Sequence, residues 1–133
     1  REQAERMAVR VAKIYGGSPV LNVFDIQDDF RELPGIKIKD FGEQTTEEWA
    51  RFVMNNRNHS FDNIEDILCN QDNKYDIVIG PVADDNMALL FRQYENEIID
   101  FQTLLKGMVY KKTSSQYSFH TEKSIRLLRK VED

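Results

Sequence analysis

Three polar side chains near the C-terminal end of the sequence have the spacing of a ligand-binding surface. Gln116, Ser118 and His120 alternate with Tyr117 and Phe119, and successive side chains of a β-strand point to opposite faces. Such a strand presents an amide, a hydroxyl and an imidazole together, ready to hydrogen-bond a ligand. The same alternation is typical of a half-exposed strand whose polar face meets solvent. In either case the two aromatic rings are expected to enter the core.

A thiol and an imidazole form a second candidate for chemistry. Cys69 is the single cysteine, and His120 would have to act as its base. The sequence indicates no third group to orient the histidine, and a cysteine beside Leu68 is typical of a small packing residue. One cysteine cannot form an internal disulfide, and with only His59 and His120 a structural zinc site is not expected. We predict no metal site and a reducing, cytoplasmic compartment.

The charge of the chain argues against nucleic-acid and membrane partners. The sequence has 18 Lys and Arg against 23 Asp and Glu, a net charge of −5, so no overall field attracts the protein to polyanions. No apolar segment reaches the ~20 residues that span a bilayer. A basic stripe near the C-terminus either contacts phosphates or forms the solvated face of a last helix; it comprises Lys123, Arg126, Arg129 and Lys130.

The pattern of apolar residues predicts the elements that must hold these side chains in place. With 133 residues, 41% of them hydrophobic, the chain is expected to form one domain over residues 1–133. Helices are predicted up to Tyr15 with a stop at Gly16, from a Thr45–Glu48 capping box to about Asn56, from Asp84, from Phe101 to Met108, and from Thr121 to Val131.

Strands are expected between these helices, which makes the predicted fold α+β. They are predicted at residues 20–26, at the edge segment 36–39, at the central segment 75–79 and at 116–120. The central segment is a continuous apolar run closed by Gly80 and Pro81, because proline cannot donate to a sheet ladder. Residues 55–73 are rich in Asn and Asp and predict an exposed excursion.

Two separated segments resemble the paired signature of a bacterial family of domains of unknown function grouped with the ADP-ribosyltransferases. They are residues 75–85, YDIVIGPVADD, and residues 116–123, QYSFHTEK. The helix opening at Gln3 and the segments 20–24 and 49–57 resemble the same family. On this resemblance the chain is similar to the larger, C-terminal part of an ADP-ribosyltransferase-like domain, with split sheets, flanking helices and the N-terminal motif strands missing.

The resemblance implies that NAD is the substrate and that a macromolecule accepts its ADP-ribose. In that superfamily NAD lies in a cleft between two small sheets, and the late strand carries the third motif. Gln116 would then be the catalytic residue that orients the ribose, with Ser118 and His120 also lining the cleft. Because Gln116 stands where a Glu is common, the sequence also leaves open a non-catalytic binding module, such as one component of a toxin–antitoxin-like pair that binds a protein partner.

The resemblance generates one prediction about the isolated chain. Since the segments that would grip both ends of the nucleotide precede Arg1 in the family, we expect residues 1–133 alone to bind NAD weakly or not at all. Isothermal titration calorimetry checks this, and micromolar affinity would show that the chain needs no further segments.

Overall fold

The computed structural model describes residues 1–109 and 114–131, without the side chain of Asp85. The backbone groups into two compact units, one formed by Arg1–Leu33 together with the described chain from Arg126, the other by Pro34–Ile125. Both contain helix and strand, so the α+β class predicted from the sequence is confirmed at this level.

The first unit contains helix α1, Glu2–Tyr15, and a two-stranded sheet. The helix ends where the sequence predicts, at Gly16, whose φ of 84° suits glycine and whose N–H donates to the Ala12 carbonyl. Strand β1, Phe24–Ile26, pairs antiparallel with the last strand, Leu128–Lys130. A 3₁₀ turn, Phe30–Glu32, follows β1.

Two predictions for this unit are wrong. The strand expected over residues 20–26 covers only Phe24–Ile26. These three residues are the ones that pair with the partner strand, Leu128–Lys130, which itself has three residues. The last helix, expected to reach Val131, ends at Ile125, and Leu128–Lys130 pairs with β1 instead. In a segment this short the gain from cross-strand hydrogen bonds outweighs helix propensity.

The second unit is organised by a three-stranded sheet. Its strands are β2 (Ile38–Asp40), β3 (Ile77–Pro81) and β4 (Ser115–Phe119), in the order β2-β3-β4. β3 runs parallel to β2 and antiparallel to β4. The predicted central strand is therefore confirmed, and Ile77 and Ile79 are buried. Its predicted end is wrong: Gly80 and Pro81, expected to close the strand, belong to it and pair with Gln116 and Ser115 of β4.

Four helices in the described part of this unit accompany the sheet: α2 (Glu47–Arg57), α3 (Asp85–Glu95), α4 (Phe101–Val109) and the short α5 (Glu122–Ile125). The strand Leu128–Lys130 that follows α5 and pairs with β1 is β5. The buried core of this unit is formed by side chains of α2, α3 and α4, among them Trp49, Met87, Phe91, Leu104 and Met108. None of the helices in the described part of the chain is long and apolar enough to cross a bilayer.

The helix starts follow from capping side chains. Asp84 caps α3 by accepting from the Met87 N–H at 3.0 Å, as predicted. The expected Thr45 cap of α2 is wrong by one residue: Thr46 accepts from the Trp49 N–H, and the Thr45 hydroxyl donates to the Met108 carbonyl. Both threonines are close enough to the helix start to cap it. Because the Thr45 hydroxyl bonds to the Met108 carbonyl of α4, Thr46 is the residue that caps α2.

Asp76, buried at the start of β3, ties the sheet to its neighbours. Its carboxylate accepts from the Lys37 N–H at 2.8 Å and from the Thr121 hydroxyl at 2.7 Å, with the Lys123 ammonium 3.5 Å away. Its backbone carbonyl accepts from the His120 N–H at 2.9 Å. Burial by itself raises the pKa of Asp76, but these hydrogen bonds and the Lys123 charge outweigh it and hold the pKa below its ordinary value.

We expect Asp76→Asn to destabilise the protein by about 1.5–3 kcal/mol at pH 7, because the amide nitrogen cannot accept from the Lys37 N–H or the Thr121 hydroxyl and one donor loses its partner. A carboxylate with a lowered folded-state pKa stabilises above its unfolded pKa, about 3.9, and loses that contribution as pH falls through the folded value. Urea unfolding at pH 7 and pH 3 should therefore show the difference from wild type shrinking in acid. Asp62→Asn, an exposed change, is the control, and equal destabilisation at both pH values would contradict the assignment.

Candidate functional site

The register of β3 and β4 brings the predicted site residues onto one face. Gly80 pairs with Gln116 and Val78 with Ser118, whereas Ile79 pairs with Tyr117. Directly paired residues of antiparallel strands share a face. Gln116 and Ser118 therefore lie beside Gly80 and Val78 on the same face of the sheet, and His120 follows on the same side.

This face forms the floor of a cleft with a volume of about 480 Å³, within the range of ligand pockets. Gln116, Ser118 and His120 all line it, so the structure brings the three predicted residues together. The rest of the lining comes from the residue after β2, from α2, from the loop between α2 and β3, from β3 itself and from the segment that follows it. The residues are Phe41, Trp49, Phe52, Val53, Asn56, Arg57, Asn70, Gln71, Asn73, Val78, Gly80, Pro81, Val82 and Ala83.

The opposite face of β4 differs from the prediction. Tyr117 was expected in the core, but 45% of its side chain is exposed, and Phe119 is only half-buried. β4 is an edge strand of the three-stranded sheet, and alternation along a strand separates two faces without fixing which of them is covered. Replacing either aromatic residue with alanine should therefore cost less than the 3–5 kcal/mol typical of a fully buried ring.

Gly80 allows the aromatic wall to approach the floor of the cleft. A Cβ atom at this position would lie 3.3 Å from both Phe41 Cβ and Trp49 Cδ1, closer than ordinary contact. The rings of Phe41 and Phe52 pack in a tilted arrangement, with their centres 4.9 Å apart and their planes at 56°. The cleft thus has aromatic side chains packed closely against Gly80, the residue that pairs with Gln116.

The amides that line the cleft divide into structural and available groups. Asn70 exchanges two hydrogen bonds with the backbone of Tyr75, and its own N–H donates to Asn56. Gln71 uses its NH₂ group on the carbonyls of Asn55 and Asn58. By contrast, the side chains of Asn73, Gln116, Ser118 and His120 have no hydrogen-bond partner among residues 1–109 and 114–131. These four groups are open to a ligand.

His120 adds a neutral imidazole to the cleft. Partial burial lowers its pKa below the ordinary value of 6.5, because desolvation disfavours the charged form. At pH 7 the ring is therefore mostly uncharged and offers one donor and one acceptor. It suits a polar, uncharged part of a ligand.

Charge is distributed unevenly around the cleft. None of the described residues that line it carries a carboxylate, although the chain has 23 Asp and Glu. Across the described ranges, no cluster of three or more His, Cys, Asp or Glu side chains has the geometry to hold a metal ion. The arrangement favours a neutral or anionic ligand over a cation.

Lys74 holds the loop that supplies one wall of the cleft. Its ammonium donates to the carbonyls of Asp66 and Cys69 at 2.8 and 2.7 Å, and also to that of Ile64, while the Asp72 carboxylate lies 3.4 Å away. Three converging carbonyls and a carboxylate are the ligands typical of a bound cation. Lys74 thus acts as an internal cation around which residues 61–75 fold, and this orders Asn70, Gln71 and Asn73.

The other candidates from the sequence lie elsewhere. Cys69 is fully buried within that loop and does not line the cleft, so the predicted packing role is confirmed and it forms no pair with His120. The basic stripe is divided, since Lys123 lies in α5 while Arg129 and Lys130 lie in β5. Lys123 donates to the Gly35 carbonyl at 2.7 Å, a structural contact. The stripe is not the face of one helix.

Comparison with known proteins places the chain in a family. Residues 1–129 match the family described as a protein of unknown function, DUF3990. The chain belongs to this family. The predicted resemblance to a domain of unknown function is thereby confirmed for DUF3990. No curated protein and no solved structure matches the chain significantly.

Sequence reasoning missed Lys74, Asn73 and Arg57 as parts of this DUF3990 site. The sequence of the loop shows many Asn and Asp residues close to one lysine, Lys74. This composition predicted an exposed segment, but it did not predict that the segment folds around the Lys74 ammonium. Arg57 carried no signal of its own, because a basic residue in the last turn of a helix is common.

We expect Lys74→Met to loosen the loop while the core stays folded, since it removes three charge-assisted hydrogen bonds but no core contact. The local cost should be about 1.5–3 kcal/mol. Hydrogen exchange checks this: amides of Cys69, Asn70 and Tyr75 should exchange faster, with those of β3 unchanged. Lys106→Met, an exposed change on α4, is the matched control. Unaltered protection of the three loop amides would contradict the role of Lys74.

Proposed function

We propose that this DUF3990 protein is an ADP-ribosyltransferase-like enzyme, and that the cleft over β3 and β4 receives the nicotinamide–ribose part of NAD. The full-length protein would transfer ADP-ribose to a macromolecular acceptor. The observation that carries the proposal is the set of polar side chains on one strand face: Gln116, Ser118 and His120 line the same cleft, and their side chains make no hydrogen bond within the described chain. Two small sheets with flanking helices agree with the fold expected from the resemblance.

The chemistry of the walls suits this ligand. Nicotinamide is a planar ring with a carboxamide, and its ribose presents hydroxyls. Aromatic side chains and hydrogen-bonding groups both line the cleft, the usual composition of a site for such a molecule. The neutral His120 and the amide of Gln116 can each donate and accept, so they can bond either hydroxyls or the carboxamide.

In the proposed reaction the bond between nicotinamide and ribose C1 breaks and a bond from C1 to a nucleophile of the acceptor forms. Nicotinamide leaves with the bonding electron pair, and the acceptor releases its proton. Gln116 would hold the ribose hydroxyls while positive charge develops on the sugar. Because an amide carries no charge, it orients the ribose without the electrostatic stabilisation that a carboxylate gives.

A second candidate is a binding module that retains the cleft without catalysis. The observation that favours it is the absence of any carboxylate among the described residues lining the cleft. Such a module would bind a nucleotide or a protein partner and leave NAD intact. NAD consumption by the full-length protein separates the two candidates.

We expect Gln116→Ala in the full-length protein to leave the melting temperature nearly unchanged and to lower NAD turnover about 100-fold, the effect of removing one well-placed hydrogen-bond donor. The side chain is exposed and makes no internal hydrogen bond, so its loss opens no cavity. Released nicotinamide measured by chromatography gives the turnover. Gln102→Ala, the same change on the exposed side of α4, is the control.

If Gln116→Ala consumes NAD at the wild-type rate, the site assignment is wrong. If wild type binds NAD but releases no nicotinamide, the binding module replaces the enzyme.

A further inference from the structure

Arg57 joins the cleft to a second basin. It is the last residue of α2, and it lines both the cleft over β4 and a neighbouring basin of about 780 Å³. The second basin is formed by the end of α2, the residues after it and α3; its lining includes His59, Ser60, Phe91 and Arg92. Arg57 is the one described residue that lines both, and we call the cleft and the second basin together the groove.

The guanidinium of Arg57 is held in place but not saturated. One nitrogen, Nη2, donates to the Ala83 carbonyl at 3.1 Å, and Cζ lies 6.0 Å from the centre of the Phe91 ring. A guanidinium has five N–H donors, and the others have no acceptor in the part of the chain that the structure describes. A fixed arginine with free donors loses little entropy when it binds an oxyanion.

The charges around Arg57 select the kind of ligand. Among the described residues lining the cleft it is the one Lys or Arg, and no carboxylate offsets it. The second basin adds Arg92 and has Glu95 as its one described carboxylate. In a protein of net charge −5, this local excess of positive charge favours phosphate.

We infer that Arg57 binds the phosphates of a nucleotide whose planar ring and ribose lie in the cleft and whose remainder extends into the second basin. The inference rests on the proposed function for the identity of the ring. It adds what the β4 residues do not supply: a charge partner for the diphosphate, placed between the two ends of the ligand. Arg57 contacts ligand and is a binding residue.

The rival interpretation is that Arg57 only ties α2 to the segment after β3 through Ala83. A structural tie predicts that removing Arg57 lowers stability and affects all ligands alike. A phosphate contact predicts a loss confined to phosphorylated ligands, with a weaker dependence on salt because one ion pair fewer forms.

The test is calorimetric titration of the full-length protein with NAD, ADP-ribose, inorganic pyrophosphate and nicotinamide at several salt concentrations. The variants are Arg57→Gln and Arg57→Lys, with Arg10→Gln, an exposed arginine of α1 that does not line the groove, as control. Melting curves confirm folding, and Arg57→Lys, which keeps the charge, provides a second measurement if Arg57→Gln is poorly folded.

We expect Arg57→Gln to weaken ADP-ribose and NAD at least 10-fold, to flatten their salt dependence and to leave nicotinamide unaffected, with Arg57→Lys in between. Equal affinity of wild type and Arg57→Gln for ADP-ribose or NAD would overturn the inference while leaving the NAD proposal standing. Arg57-dependent binding of pyrophosphate or ADP-ribose without binding of NAD would support the inference and remove the NAD proposal. Failure of wild type to bind any phosphorylated probe would overturn the inference.

Discussion

The site depends on the buried carboxylate of Asp76. The Asp76 carboxylate accepts from the backbone N–H of Lys37, next to β2, and from the hydroxyl of Thr121, which follows β4. The backbone carbonyl of Asp76 accepts from the N–H of His120. All three strands of the sheet are thus fixed at one end. The fixed register pairs Gln116 with Gly80 and Ser118 with Val78, so the polar side chains of β4 share the floor of the cleft with a glycine and a valine of β3.

The loop between α2 and β3 shows how a polar sequence can form a wall. Asn55, Asn56 and Asn70 satisfy backbone groups, and Lys74 supplies a positive charge at the centre of converging carbonyls. These bonds order a segment that has neither helix nor strand. Polar groups left over from this network, above all Asn73, face the cleft and can bind ligand.

The sequence predicted best where local pattern and tertiary structure agree. The apolar run before Gly80 and Pro81 predicted a buried central strand, and the alternation of β4 placed its polar residues on one face irrespective of what covers the other. The exposure of Tyr117 was not predictable, because alternation separates two faces without showing which is covered. The last helix failed because three residues pair with β1, a contact between segments a hundred residues apart in sequence. The contacts of Arg57 and Lys74 are made to backbone carbonyls that the fold brings close to them. No sequence motif indicates these contacts.

The most direct test of the account is a titration of isotope-labelled full-length protein with NAD, followed by NMR. The account predicts that the amide and side-chain signals of Gln116, Ser118 and His120 shift together with those of Asn73, and that they do so at one common dissociation constant. If NAD leaves these signals unchanged, or shifts only residues of the β1–β5 sheet, the cleft over β3 and β4 is not the nucleotide site.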